Sequence, residues 1–109
     1  MVNEEKISKL KPREIFKVLD AYMTIKKKSQ IGQKLKLPLV QLVLSSGVVL
    51  TGDILDCDFS KNSLLLSLID SNKGRTITYI EDFKLINAIS FINIDQCGEL
   101  IDELSKKIN

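Results

Sequence analysis

The chain contains no histidine, which removes the side chain most often used as a general base near neutral pH. No cluster of carboxylates or lysines proposes itself as a substitute, so the sequence argues against an enzyme. Its two cysteines, Cys57 and Cys97, lie far apart and follow no metal-ligand spacing. Two buried, reduced thiols are therefore favoured over a disulfide or a metal site, and no metal or cofactor is expected. Aromatic residues are scarce, with four Phe and two Tyr. No apolar run approaches the ~20 residues that a membrane helix requires. The opening MVNEEKISKLK has neither the apolar core nor the small-residue cleavage site of a secretory signal. These absences lead to the expectation of a cytoplasmic protein with no membrane partner.

What is present suits one folded domain: 109 residues, 44% hydrophobic and 28% charged. Three segments divide it: a basic N-terminal helix and linker over 1–36, a small β-barrel over 37–94 and a C-terminal helix over 95–109. The net charge of +2 conceals an asymmetry, because residues 1–36 carry ten Lys or Arg against four acids and residues 37–109 carry six against ten. Lys26, Lys27, Lys28, Lys34 and Lys36 form a run without acids. Such a run attracts phosphate by counterion release or simply forms a solvated linker, and both readings stay open.

From Pro12, the segment PREIFKVLDAYMTIKKK has a helical period. Ile15, Leu19, Tyr22 and Ile25 share a stripe that Phe16, Val18 and Met23 widen. Pro12 suits a first turn, and the terminal lysines complement the helix dipole. About four turns are expected, with the stripe facing the core as a lid over the barrel. At the other end, Cys97, Leu100, Ile101, Leu104 and Ile108 recur at helical spacing, with Asp95 as the expected cap and Glu99 and Glu103 ahead of Lys106 and Lys107.

Between them, alternating apolar residues predict strands over Leu39 to Leu44, Val48 to Cys57, Ser63 to Asp70, Arg75 to Ile80 and Ala88 to Ile94, with Glu81 to Ile86 as a crossover. The stretch VQLVLSSGVVLTGDILDCDFSKNSLLL places Gly47 in a turn and Gly52 inside a strand. A strand glycine permits a sharp bend or the close approach of another backbone. The expected class is mainly β: a five-stranded antiparallel meander curled into a small barrel, with flanking helices.

The spacing of Leu44, Gly47, Leu50, Gly52, Ile54, Asp58 and Asn62 resembles the first signature of the Sm and Sm-like family, whose bacterial member is Hfq. The resemblance spans Leu37 to Ile94, and a helix precedes the first strand as in Hfq. Asn87-Ala88-Ile89-Ser90 resembles the second signature, with Glu81-Asp82 as an alternative register. The resemblance implies an Sm-like (SH3-like) barrel that forms rings and binds single-stranded RNA.

In that family a base stacks on a side chain two residues after the aspartate and contacts the signature asparagine. Here these positions are Ser60, which has no π-face, and Asn62, which can hydrogen-bond a base or hold its turn with Asp58. The adjacent Phe59 is expected to pack inward. The second signature supplies Ile86 and Asn87, or Glu81 and Asp82, and no cation in either register. Lys61 and Lys84 are the nearest positive residues, each able to reach phosphate or to remain a solvated loop lysine. On the opposite face, Val43, Leu44 and Val48 stand where Hfq has aromatic-based adenine pockets. Lys26, Lys27 and Lys28 resemble its basic rim. The RNA-binding candidates are thus Asn62, Lys61, Lys84, Asn87, Lys26, Lys27 and Lys28. Tyr79 and Phe83 are either displayed near the crossover or packed in the core or an interface.

An open sheet ending in TITYI and AISFINI would leave two apolar edges that need partners. Head-to-tail pairing of identical copies would close a homo-oligomeric ring, a hexamer by resemblance to Hfq. The alternative is a structural or protein-interaction oligomer that has kept the scaffold, lost base recognition and engages protein partners through its terminal helices.

Overall fold

Pro12 begins the first helix of the computed structural model, which describes residues 12–32, 35–70, 72 and 74–108. Helix α1 (Pro12–Gln30) has 19 residues, with Glu14 in its first turn and Lys27 and Lys28 in its last. That order matches the helix dipole, and the length gives about five turns rather than four. Its buried residues, among them Ile15, Val18, Leu19, Ala21, Tyr22 and Ile25, exceed a single stripe. The reason is that α1 has two neighbours. Tyr22 stacks on Phe91 of the sheet, with ring centroids 6.0 Å apart, while α2 (Gly98–Ile108) packs along the helix from elsewhere.

Helix α2 starts later than its periodicity suggests. Asn93 adopts a left-handed φ of 56°, Ile94–Gln96 form one 3-10 turn, and Asp95 therefore lies in that turn instead of capping the helix. The Ile101 N–H donates to the Cys97 carbonyl at 3.1 Å, so the helix begins around Cys97. Leu100 and Leu104 are fully buried, each worth about 1.5 to 3 kcal/mol. Two ion pairs join the helices, Lys107 to Asp20 at 2.9 Å and Lys28 to Glu103 at 3.9 Å. Exposed pairs contribute about 0 to 1 kcal/mol, so the apolar contacts hold α2 in place.

The strands are β1 (Leu39–Leu44), β2 (Val49–Asp58), β3 (Ser63–Asp70), β4 (Gly74–Ile80) and β5 (Ile86–Ile92), in the spatial order β4-β3-β2-β1-β5. All pairings are antiparallel. Strand β5 starts earlier than Ala88 because Ile86 pairs with Leu44 across a bulge, and it ends at Ile92 before left-handed Asn93. The crossover contracts to one 3-10 turn, Phe83–Leu85, capped by the Asp82 carboxylate accepting from the Lys84 N–H.

Gly52 is where β2 changes partners. It pairs with Val40 of β1 and Leu68 of β3, and a Cβ there would collide with the Ser67 carbonyl group, whose carbon would lie at 2.9 Å. The close backbone approach expected of this glycine is therefore present, and only glycine permits it. Gly47, with φ of +91°, forms the expected turn. The sheet is nevertheless not closed: β4 and β5 are its two edges. The chain between them is tied to neighbouring turns, with Phe83 N–H donating to Asn62 C=O and Ser45 N–H to Leu85 C=O.

A second irregularity sets which side chains face out. The register of β2 against β3 shifts between Ile54 and Asp56, the mark of a bulge. Buried Gly52 and Ile54 precede it, exposed Asp56 and Asp58 follow it, and Cys57 and Phe59 pack against the core. The bulge thus reverses the inward–outward phase of the strand and keeps both carboxylates in solvent.

Candidate nucleic-acid interface

The β4–β5 connection is hydrogen-bonded to the turns at both ends of β2. In the β2–β3 turn, Oδ1 of Asp58 accepts from the Ser60 N–H at 3.0 Å, the Ser60 hydroxyl at 2.6 Å and the Lys61 N–H at 3.2 Å. The Ser60 hydroxyl leads the interactions that hold the Asp58 carboxyl below its ordinary pKa. Asn62 closes the turn at a left-handed φ of 56°. Its carbonyl accepts from the Phe83 N–H at 2.7 Å, which ties this turn to the β4–β5 connection. The Ser45 N–H in turn donates to Leu85 C=O at 2.8 Å, adding the β1–β2 turn. Beneath them Phe59 packs inward, edge-on to Phe16 at 4.9 Å and to Phe83 at 6.0 Å.

The arrangement brings Asn62 and Lys84 to the same junction, with Lys61 next to Asn62. Lys61 and Lys84 are exposed, and Lys84 also contributes its backbone N–H to the Asp82 cap. Asn87 is exposed on edge strand β5, one residue past the Ile86 that pairs with Leu44. The helix lysines form a different group. They follow Phe16, which meets the turns, by ten residues or more, about 15 Å along the helix axis. Lys26 is half-buried and Lys27 exposed, while Lys28 is taken up by Glu103. The two sequence alternatives for Tyr79 and Phe83 resolve oppositely: Phe83 is in the core at 5% exposure, and Tyr79 is displayed at 59%.

No family model, curated protein or solved structure matches the chain.

Sequence reasoning did not find the depression of about 230 Å³ on the outer side of β2, β3 and β4. Asp56, Asp58, Lys61, Ser63, Leu65 and Tyr79 line it. The available signal was the change of phase at Ile54-Leu55, after which alternation directs Asp56 and Asp58 outward together. The thiols contribute no reactivity here. Cys57 is half-buried and its pKa is pushed up to about 12, chiefly by desolvation, while burial also raises that of Cys97. Both are protonated near neutral pH and weakly nucleophilic. Among the described residues no group of potential ligands is arranged to hold a metal, and no helix is long and apolar enough to cross a membrane.

Proposed function

We propose that the chain is an Sm-like, ring-forming protein that binds single-stranded RNA without catalysing a reaction. The observation that carries this reading is the hydrogen bond from Phe83 N–H to Asn62 C=O. It joins the turn bearing the signature-like Asp58 and Asn62 to the connection bearing Lys84, the two segments through which the family resemblance implies base and phosphate contacts. The unpaired edges add support for assembly: Ile77 of β4 is 63% exposed, Tyr79 beside it is displayed, and Ile92 of β5 is partly exposed. Pairing β4 of one copy with β5 of the next satisfies both edges and closes a ring when the rotation permits. A hexamer follows the resemblance. Such a protein works in the cytoplasm, with Lys26 and Lys27 tracking phosphate as a separate group about 15 Å along α1 from the turn cluster.

Light scattering on the eluted protein and anisotropy titrations with labelled single-stranded RNA test the two halves of this proposal. A closed oligomer is expected, with affinity falling steeply as salt rises, at a log–log slope of roughly −0.7 per phosphate neutralised. The double substitution Lys26→Glu and Lys27→Glu reduces that slope. It spares Lys28, whose replacement by an acid would set like charges against Glu103. A soluble monomer removes the ring, and a flat titration at low salt removes RNA.

One observation favours a second reading, a structural or protein-interaction oligomer on the same scaffold. Ser60 stands at the stacking position without a π-face, and its hydroxyl is committed to Asp58. Nucleic acid copurifying with the protein, seen in its ultraviolet absorbance, separates this reading from RNA binding.

A further inference from the structure

Strand register sets up the depression on the outer face. Asp56, Leu65 and Tyr79 are consecutive partners across β2, β3 and β4. Adjacent strands lie about 4.8 Å apart, so Asp56 and Tyr79 stand about 10 Å from each other with Leu65 as the floor between them. Asp58 and Ser63, paired in the neighbouring row, close one end, and Lys61 stands at the rim. Ser63 is only 4% exposed yet lines the depression, and its hydroxyl has no hydrogen-bond partner among the described residues. Solvent reaches that hydroxyl through the depression, so it is free to meet a ligand that enters there.

The other groups are exposed to the same space. Oδ1 of Asp58 is saturated by the turn, and Oδ1 of Asp56 accepts from the Cys57 N–H at 2.9 Å. Among the described residues their second oxygens have no donor, Lys61 has no ion-pair partner and the Tyr79 ring meets no other ring. The volume lies below the ~300 to 1,000 Å³ of sites for drug-sized ligands and suits a single planar ring system.

We propose that this depression binds a guanine nucleotide, the base lying on Leu65 against the Tyr79 ring, its N1–H and N2–H donors on the carboxylates of Asp56 and Asp58, and its phosphate on Lys61. Guanine is selected by its edge: two adjacent donors meet two acceptors, while adenine, cytosine and uracil each turn an acceptor toward a carboxylate. Ser63 supplies a donor to a base acceptor. A simple organic cation satisfies the carboxylates but is repelled by Lys61, and phosphate alone is repelled by Asp56 and Asp58. The hydrogen bonds that keep Asp58 ionised also keep it an acceptor. The inference extends beyond RNA binding, since a free nucleotide and an exposed guanine in a single strand present the same groups.

The test is an NMR titration of the full chain with guanosine, adenosine, cytidine and uridine monophosphates. Guanosine monophosphate is expected to shift the resonances of Asp56, Ser63, Leu65 and Tyr79 and to bind at least about ten-fold more tightly than the others. Tyr79→Leu weakens it by about ten-fold through lost stacking. Asp56→Asn weakens it and narrows its advantage over adenosine monophosphate, with an unchanged spectrum elsewhere reporting an intact fold. Asp58 is left in place because the turn depends on it. A second arm compares guanosine triphosphate with a uridine oligonucleotide carrying one guanosine; the tighter ligand identifies the natural source. Equal response to all four monophosphates, absence of shifts at Ser63 and Tyr79, or indifference to Tyr79→Leu overturns the proposal. RNA binding fails separately, through loss of salt-dependent oligonucleotide binding while the monophosphate response persists.

Discussion

The two halves of the sheet, on either side of Gly52, present opposite chemistry from one continuous strand. Toward β1 and β5 the strands LVQLVL and INAISFI contain no charged residue. Toward β3 and β4 the outer face carries Asp53, Asp56 and Asp58. Arg75 lies over this face with its Nε donating to Ser67 Oγ at 2.6 Å and its guanidinium 3.6 Å from Asp53. The first half can be recognised by shape and apolar area alone. The second offers directed acceptors, a cation and an exposed aromatic ring.

The largest break in this comparison is at its hinge. Gly52→Ala drives a Cβ into the Ser67 carbonyl and is expected to cost more than about 3 kcal/mol in urea unfolding, because backbone cannot swing aside as a side chain can. Gly47→Ala, with open space around it but φ of +91°, should cost only about 1 to 2 kcal/mol. Next comes Phe83→Ala, which removes a core ring shared by α1 and the turn cluster. A loss of about 3 kcal/mol is expected, with faster hydrogen exchange at the Phe83 amide.

Alkaline titration probes the groups shielded between sheet and helix. Cys57 and Tyr22 both have folded pKa values raised to about 12 from ordinary values of 9.0 and 10.0, desolvation being the leading cause for each. Groups shifted this way stabilise the fold fully below their unfolded values and lose that contribution as pH rises through the folded ones. Circular dichroism should therefore show unfolding between pH 9 and 12, at a higher midpoint in Cys57→Ala. Ile77→Lys and Ile92→Lys, on the two exposed edges, are expected to change monomer stability by less than about 0.5 kcal/mol. Each should abolish assembly in light scattering if the edges pair between copies. The smallest effect belongs to the Asp58 turn. Its depressed pKa contributes stability present above the ordinary aspartate value of 3.8 and lost as pH falls through the folded value. Amide shifts of Ser60 and Lys61 on acidification report that loss.

Much of this architecture was legible because local chemistry encoded it. The glycine spacing located the β1–β2 turn and the close approach at Gly52, alternation yielded five strands, and a short acceptor side chain at Asp58 announced its turn. The boundaries of β5 and α2 were not legible, because left-handed Asn93 interrupts two patterns that otherwise run together. Nor was the breadth of α1 burial, since a stripe analysis assumes one neighbour and the helix has two. At the candidate site, Asn62 and Lys61 could be picked out by spacing. The division of Tyr79 from Phe83 could not, because both sit among apolar residues and differ only in what lies over them.

By itself the sequence determined the number of strands, the places where the chain must turn and the residue types available at each turn, since period, glycine and side-chain acceptors act over a few residues. Only the tertiary structure decided that Phe83–Leu85 bond to both Ser45 and Asn62, and that Asp56, Leu65 and Tyr79 stand in one row. Those neighbours are set by cross-strand register and by a single bulge, and register depends on how distant strands pair rather than on any local run of residues.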